Sequence, residues 1–416
     1  MEWIEQVPKQ ARISLGKGWM IASLASIPLV MTLGNSMLIP VLPTIEKQLH
    51  ITSFQSSLLI TMYSVVAIVF IPIAGYISDR IGRKKVIIPS LLLAAIGGLI
   101  SGWASWRMNE PYGMIVAGRM LQGLGAAGAF PIVLPLVGDL FPNDSEASSC
   151  LGTIETANTF GKVLSPILGA MFASIVWFLP FFAFPLFCAL SLAMMLFFIK
   201  SSSKQDHPLP FRQFLRNVKM IFQREGRWLY AIFAIGGLSM LVLFAFLFFL
   251  SSRLEDYGID GIKKGWVLAI PLGALCAASF ITGKKIGENK TLMKWVIAAG
   301  GVLAGAAIMA VKFFPSLWWM VAFFSLAGIG IGVMLPCLDA LITEGIEKKE
   351  RGTVTSFYSS LRFIGVAAGP PLAALLMKRE TSTLLFLLVA LCFLASAITF
   401  IAIQPENEGE KATGKQ

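Results

Sequence analysis

Glu155, Asn158, Thr159 and Lys162 stand at i, i+3, i+4 and i+7 in a run that is otherwise mostly apolar. At helical spacing the four share one face. A face that mixes a carboxylate, a carboxamide, a hydroxyl and an ammonium can exchange a proton, swap salt-bridge partners or hydrogen-bond a polar solute. It can equally be a static Glu–Lys brace between helices, and the residues alone leave both readings open. Charges inside a membrane span cost roughly 2.5–3.5 kcal/mol on insertion scales, so each is a functional candidate by default. The others that read as deep are Arg119 and Arg362. Glu155 is the single acid of this set and therefore the candidate proton carrier. Asn35, Asn158, Lys162 and Arg362 are candidate groups of a substrate cavity. Three deep cations against one deep anion favour an anionic, zwitterionic or neutral solute over a cation.

Such a stripe needs a membrane helix to carry it. Of the 416 residues, 56% are hydrophobic and only 14% charged, whereas soluble domains carry about 25% charged residues. Twelve runs come close to or exceed the roughly 20 apolar residues that cross a bilayer as a helix. They lie near 18–42, 54–77, 84–105, 112–139, 148–174, 177–199, 228–251, 264–286, 291–312, 316–341, 353–377 and 382–403. The expected fold class is an all-α integral membrane protein with twelve transmembrane helices in two pseudo-symmetric six-helix bundles. Residues 1–199 form the first bundle, 200–227 a linker, 228–403 the second bundle and 404–416 a tail. The linker holds Pro208 and Pro210. After them Phe211, Leu215, Val218 and Phe222 recur at helical spacing, with Arg212, Arg216 and Lys219 between. That pattern predicts an amphipathic helix on the inner membrane surface, the alternative being a solvated linker. Four phenylalanines, Phe244, Phe246, Phe248 and Phe249, are expected to face lipid rather than line an apolar pocket.

The net charge of +11 does not mark a nucleic-acid surface. Most Lys and Arg fall in the tails and in alternate loops, the positive-inside pattern, which puts both termini in the cytoplasm. Their expected contacts are lipid headgroups. The first eighteen residues read as a cytoplasmic tail without a cleavable signal. Cys150, Cys188, Cys276, Cys337 and Cys392 form no C-x-x-C pair, and the two histidines, His50 and His207, lie in loops. Neither a disulfide framework nor a metal site is expected. No cofactor is expected either. A membrane-embedded enzyme would need a polar catalytic cluster near one interface, and none is visible.

The two halves repeat. Gly123, Gly125 and Pro131 match Gly328, Gly330 and Pro336, with an acid eight residues beyond each proline at Asp139 and Glu344. Ser165-Pro166 matches Gly369-Pro370. Between the second and third runs lies Gly75-Tyr-Ile-Ser-Asp79-Arg80-Ile-Gly82-Arg83-Lys-Lys. Its second-half counterpart at 283–288 has Lys284 in place of the acid.

This basic loop resembles the loop between the second and third helices of major facilitator superfamily transporters. Arg119-Met-Leu-Gln122-Gly123-Leu-Gly125-Ala-Ala is similar to the span-four motif of their proton-coupled members. The resemblance implies that Arg119 tunes the proton-carrying carboxylate; the plain alternative is that it bonds backbone carbonyls. Gly161-Lys-Val-Leu-Ser165-Pro166-Ile-Leu-Gly169-Ala170 looks like the span-five antiporter motif, with Ser165 and Ala170 in place of glycines. It implies an exporter and a smooth helix face packed on the other bundle. A parallel repeat of two six-helix bundles, with the substrate between them, is the architecture of this superfamily. By the same resemblance Asp139 meets Arg83, Asp79 faces the start of span eleven, and Gly75, Asp79, Arg80, Gly82, Arg83 and Asp139 form a cytoplasmic gate. The implied function is proton-driven export of a small organic solute across the plasma (inner) membrane by a monomer. Uptake by symport is the alternative, and a transport-incompetent sensor is a further one. The expected partners are a small-molecule substrate, protons and membrane lipid.

Overall fold

The structure, a computed structural model, describes residues 9–141, 144–199, 211–287, 289–314, 316–346 and 348–403. The expectations for Pro208, Pro210 and the tail at 404–416 lie outside the described residues. The helices are α1 (Lys9–Ser36), α2 (Leu42–Leu49), α3 (Ser53–Ile81), α4 (Arg83–Arg107), α5 (Tyr112–Leu140), α6 (Asp144–Ile175) and α7 (Leu179–Phe198). They continue with α8 (Phe211–Asp256), α9 (Gly261–Lys285), α10 (Lys290–Val311), α11 (Leu317–Gly345), α12 (Lys348–Arg379) and α13 (Thr381–Ala402).

Long apolar runs become helices because a backbone inside a bilayer must satisfy its own hydrogen bonds. Among the described residues, eleven helical segments are long and apolar enough to cross a membrane. The twelfth expected span is α6, 32 residues long, whose polar stripe dilutes its hydropathy. The fold is therefore all-α, with twelve long helices matching the twelve runs and α2 as a short connector. Helix ends follow local chemistry. Thr52 caps α3 by accepting from Gln55 N, and Gln55 returns the bond in a capping box. Between α3 and α4, Gly82 adopts φ 103°, a backbone position that glycine tolerates and side chains avoid.

By packing, the chain divides into two compact units: Met1–Phe211 with Leu247–Ala269, and Arg212–Phe246 with Ile270–Gln416. The segment 247–269 joins the first unit through specific contacts. Ser251 Oγ donates to the Ile39 carbonyl at 3.0 Å, and Gly265 lies against the Pro166 carbonyl and Ala170, with no space for a Cβ.

Each unit uses its glycines the same way, which gives the sequence repeat a physical meaning. Gly123 presses on the Tyr63 carbonyl of α3, and Gly328 presses on the Pro271 carbonyl of α9. Gly125 meets α4 at Ser90 and Ala94; Gly330 meets α10 at Gly300 and Ala304. Small residues let membrane helices approach this closely.

Two expectations change. Phe244, Phe246, Phe248 and Phe249 are all buried in protein rather than turned to lipid. Phe246 stacks on Phe324 with centroids 4.9 Å apart, so the helix-to-helix contact takes the apolar area that lipid was expected to cover. The amphipathic segment runs as helix up to Gly226, where φ 61° interrupts α8. Its Phe222 packs on Phe233 and Phe357 at 5.6 and 5.7 Å, so at that turn the apolar face meets protein, not the membrane surface.

Candidate functional site

The stripe on α6 is built as a chain of hydrogen bonds. Asn158 is buried, and its Nδ2 donates to the two Glu155 oxygens at 3.2 and 3.3 Å. Its Oδ1 accepts from Thr32 Oγ1 of α1 at 2.6 Å. Thr159 Oγ1 donates back to the Glu155 carbonyl at 2.8 Å, so that hydroxyl serves the helix. Glu155 itself is half-buried, whereas Lys162, two turns on, is buried. The arrangement offers a carboxylate whose described hydrogen-bond partner is a neutral amide, at the face where α6 meets α1.

Arg119 on α5 is 0% exposed. Nε donates to the Leu59 carbonyl at 2.8 Å, and Nη1 to the Gly34 carbonyl at 2.9 Å and to Gln122 Oε1. Nη2 donates to Asn35 Oδ1 at 2.8 Å, and the guanidinium lies over the Tyr63 ring at 4.7 Å. All these acceptors are neutral. A buried cation is tolerable only when its donors are used, and here they tie α1, α3 and α5 together. Arg119 and Asn35 are thus brought together. Glu155 reaches α1 one turn away, through Thr32.

Arg362 on α12 pairs with Asp339 of α11 at 3.7 Å and lies over the Tyr358 ring at 5.6 Å. Asp339 is the acid that sequence reasoning missed. It follows Pro336 by three residues, at the end of a span, and was not counted among the deep charges. Asp339, whose side chain is 34% exposed, thus adds a counter-anion to Arg362 that the count of deep charges had left out.

In the basic loop, Arg83 Nε donates to Asp139 Oδ2 at 2.6 Å while Nη2 stands 3.4 Å from Asp79 Oδ1. Gly82 makes the sharp turn that lets Arg83 start α4 next to both acids. Arg80 is exposed and Gly75 half-buried. Lys84 Nζ donates to the Ile199 and Leu196 carbonyls. It caps the end of α7, where exposed carbonyls attract a cation.

The span-five motif faces two ways. Gly161 approaches α1 at Leu29, Gly169 meets Met37 just past the end of α1, and Ser165 Oγ bonds its own helix at the Gly161 carbonyl, 2.6 Å away. Only the Pro166–Ala170 side meets Gly265 of α9. The motif therefore seats α6 on α1 as well as on the second sequence half.

At the end of α3 opposite the basic loop sits a charge clasp that no sequence pattern marked. Glu255 accepts from Lys47 Nζ at 2.6 Å and from Lys264 Nζ at 2.9 Å. The Lys264 side chain is 2% exposed. Glu46 beside it accepts from Ser53 and Ser56 at 2.7 and 2.6 Å, an anion at the N-terminus of α3.

Among the described residues, no group of three or more His, Cys, Asp or Glu side chains could hold a metal ion.

Known proteins bear on these centres. The family model described as Major Facilitator Superfamily matches residues 24–293 and 255–416. The "Bacillibactin exporter" of Bacillus subtilis (strain 168) is 52% identical over 398 residues, covering 95% of this chain and 99% of that protein. The "Tetracycline resistance protein, class D" of Salmonella ordonez is 25% identical, covering 85% of this chain and 90% of that protein. Among solved structures, the human organic anion transporter MFSD10 (TETRAN) superposes with a TM-score of 0.73 at 18% identity, covering 92% of this chain and 99% of its own. That last likeness concerns the fold. Family match, paired glycine packing and twelve long helices agree: the chain belongs to the Major Facilitator Superfamily and is a multi-pass membrane transporter, not an enzyme.

Proposed function

We propose that this protein exports a siderophore of the bacillibactin class in exchange for protons. It works by alternating access in the plasma membrane, as a monomer with both termini cytoplasmic. The observation that carries the cargo is the 52% identity over 95% of the chain to the Bacillus subtilis bacillibactin exporter. The interior charge supports it. Arg119, Lys162 and Arg362 outnumber Glu155 and Asp339, which suits a solute rich in ionisable oxygens, as iron-chelating siderophores are.

Glu155 is the proton carrier in this reading. It is half-buried beside a neutral amide, so it can hold or lose a proton without stranding a buried partner. Arg119 is the fixed brace that keeps α1, α3 and α5 in register meanwhile, with Asn35 engaged in that brace. Asn158, Lys162 and Arg362 are the polar groups toward the cargo. The Asp79–Arg83–Asp139 group, with Gly75, Arg80 and Gly82, is the cytoplasmic gate, re-formed once per cycle. The Lys47–Glu255–Lys264 clasp then lies at the outer end.

The test uses purified full chain in liposomes with a trapped pH dye. Added bacillibactin should drive protons in the direction opposite to its own movement, and Glu155→Gln should abolish that coupled movement. Undiminished coupling in Glu155→Gln would remove Glu155 from the mechanism. Protons moving with the solute would make the protein a symporter. Silence toward bacillibactin would overturn the cargo assignment alone.

A further inference from the structure

Glu155 reaches α1 through an intermediary. Thr32 Oγ1 donates to Asn158 Oδ1 at 2.6 Å, and Asn158 Nδ2 donates to Glu155 at 3.2 and 3.3 Å. The carboxylate, which can only accept, decides which way the carboxamide points: Nδ2 faces Glu155, and Oδ1 is left to take the Thr32 hydroxyl, which ties that orientation to α1. The backbone is arranged to allow this bond. A Cβ on Gly161, one turn along, would stand 3.2 Å from the Leu29 carbonyl and 3.3 Å from Thr32 Cβ. Any larger side chain there would push α1 away from α6 at the turn where the bond is made.

We infer that Thr32 is a positioning residue for the proton step and that it makes α1 the element that senses the charge on Glu155. The inference rests on the reading of Glu155 as proton carrier. An ionised Glu155 accepts charge-assisted bonds from Asn158, roughly twice as strong as bonds to a neutral acid. When a proton binds, those bonds weaken, Asn158 loosens, and the Thr32 link loosens with it. Two and three residues further along α1, Gly34 and Asn35 hold Arg119, so a shift of α1 is transmitted to the brace of α3 and α5.

Other charges brought to α6 have partners of their own. Lys17 of α1 pairs with Glu146 at 2.6 Å. Arg119 and Asp139 of α5 are engaged as described, and α7 carries no charged residue. From α9, Lys264 is bound to Glu255 and Lys263 is exposed. On α6 itself Lys162 is the nearby cation, two turns from Glu155.

Proton-induced infrared difference spectra of the full chain in lipid provide a readout that needs no cargo. The carboxyl band lost in Glu155→Gln identifies the residue. Thr32→Val should displace that band, and Thr32→Ser should leave it where the wild type has it. In bacillibactin-loaded liposomes, Thr32→Val should lower the protons moved per solute about fivefold, as expected for the loss of one hydrogen bond. Bacillibactin exchange should fall less than coupling does, and Thr32→Ser should restore coupling. A band unmoved by Thr32→Val, a Thr32→Ser variant that restores nothing, or an equal fall of exchange and coupling would overturn the inference while leaving Glu155 its role. A spectrum in which Glu155→Gln removes no band would overturn the proton reading and this inference together.

Discussion

On α6, Gly161 lies against α1; on α12, Gly365 lies against α8 at Gly237 and Leu241. Counting back from these glycines, Asn158 and Arg362 hold equivalent positions. In the first unit that position is a neutral amide that binds a carboxylate on its own helix. In the second it is a cation that binds a carboxylate on the neighbouring helix, Asp339 of α11. The backbone packing was kept while the charges were redistributed. Under the proposed function the difference would be a division of labour, with proton handling on α6 and anion handling on α12. Arg119 sharpens the point. Its described hydrogen-bond acceptors are neutral, whereas Arg362 stands 3.7 Å from the carboxylate of Asp339.

The largest effect should come from Arg119→Ala. It would take a donor from the buried side-chain oxygens of Asn35 and Gln122 and cut the ties to the Gly34 and Leu59 carbonyls, and a buried acceptor left unsatisfied costs about 1–3 kcal/mol before relaxation. Loss of folded protein, or a steep fall in melting temperature, is expected. A normally folded and active Arg119→Ala would show that Arg119 is as exchangeable as Arg362 and would break the contrast.

Next come the paired glycines. A Cβ on Gly365 would overlap the Gly237 carbonyl, whereas one on Gly161 makes tight but tolerable contacts at 3.2–3.3 Å. Gly365→Ala should cost about 1–3 kcal/mol by overpacking. Gly161→Ala should be nearly neutral in stability, since alanine regains about 0.8–1 kcal/mol of helix propensity over glycine. Thermal denaturation of the two variants compares them directly. Equal costs would mean that the two seats are less different than their geometry.

The smallest effect should be that of Asp339→Asn. The ion pair is partly exposed at 3.7 Å, so its loss should cost under about 1 kcal/mol of stability. Removing the internal anion should nevertheless tighten the apparent affinity for anionic cargo, by a few-fold. Weaker affinity would place Asp339 among the cargo contacts and remove the competition between cargo and Asp339 for Arg362.

Much of the scaffold was legible in advance because membrane helices announce themselves by length and hydropathy. The Gly-to-Pro repeat carried further than its spacing alone, since both copies press the same faces on equivalent helices. Gly82 was legible too, as the glycine that a tight turn between two spans demands. Other features were hidden for physical reasons. Arg119's acceptors include backbone carbonyls, which every residue has, so no pattern could point to Leu59 or Gly34. Asp339 sat at the edge of a span, where hydropathy cannot separate a loop acid from one paired with a cation of the neighbouring helix. Glu255 and Lys47 are 208 residues apart, and no periodicity connects them. The phenylalanines of α8 looked like a lipid face because hydropathy does not distinguish lipid from a packed helix.

The clasp at Glu255 has a consequence for solvent. Lys264 is 2% exposed and takes its counter-charge from Glu255. An ammonium left dry and unpaired costs several kcal/mol, so no movement can part Glu255 from Lys264 unless water arrives as the bond breaks. Unfastening this end would then have to draw water in with it, which ties any opening of the clasp to the hydration of Lys264.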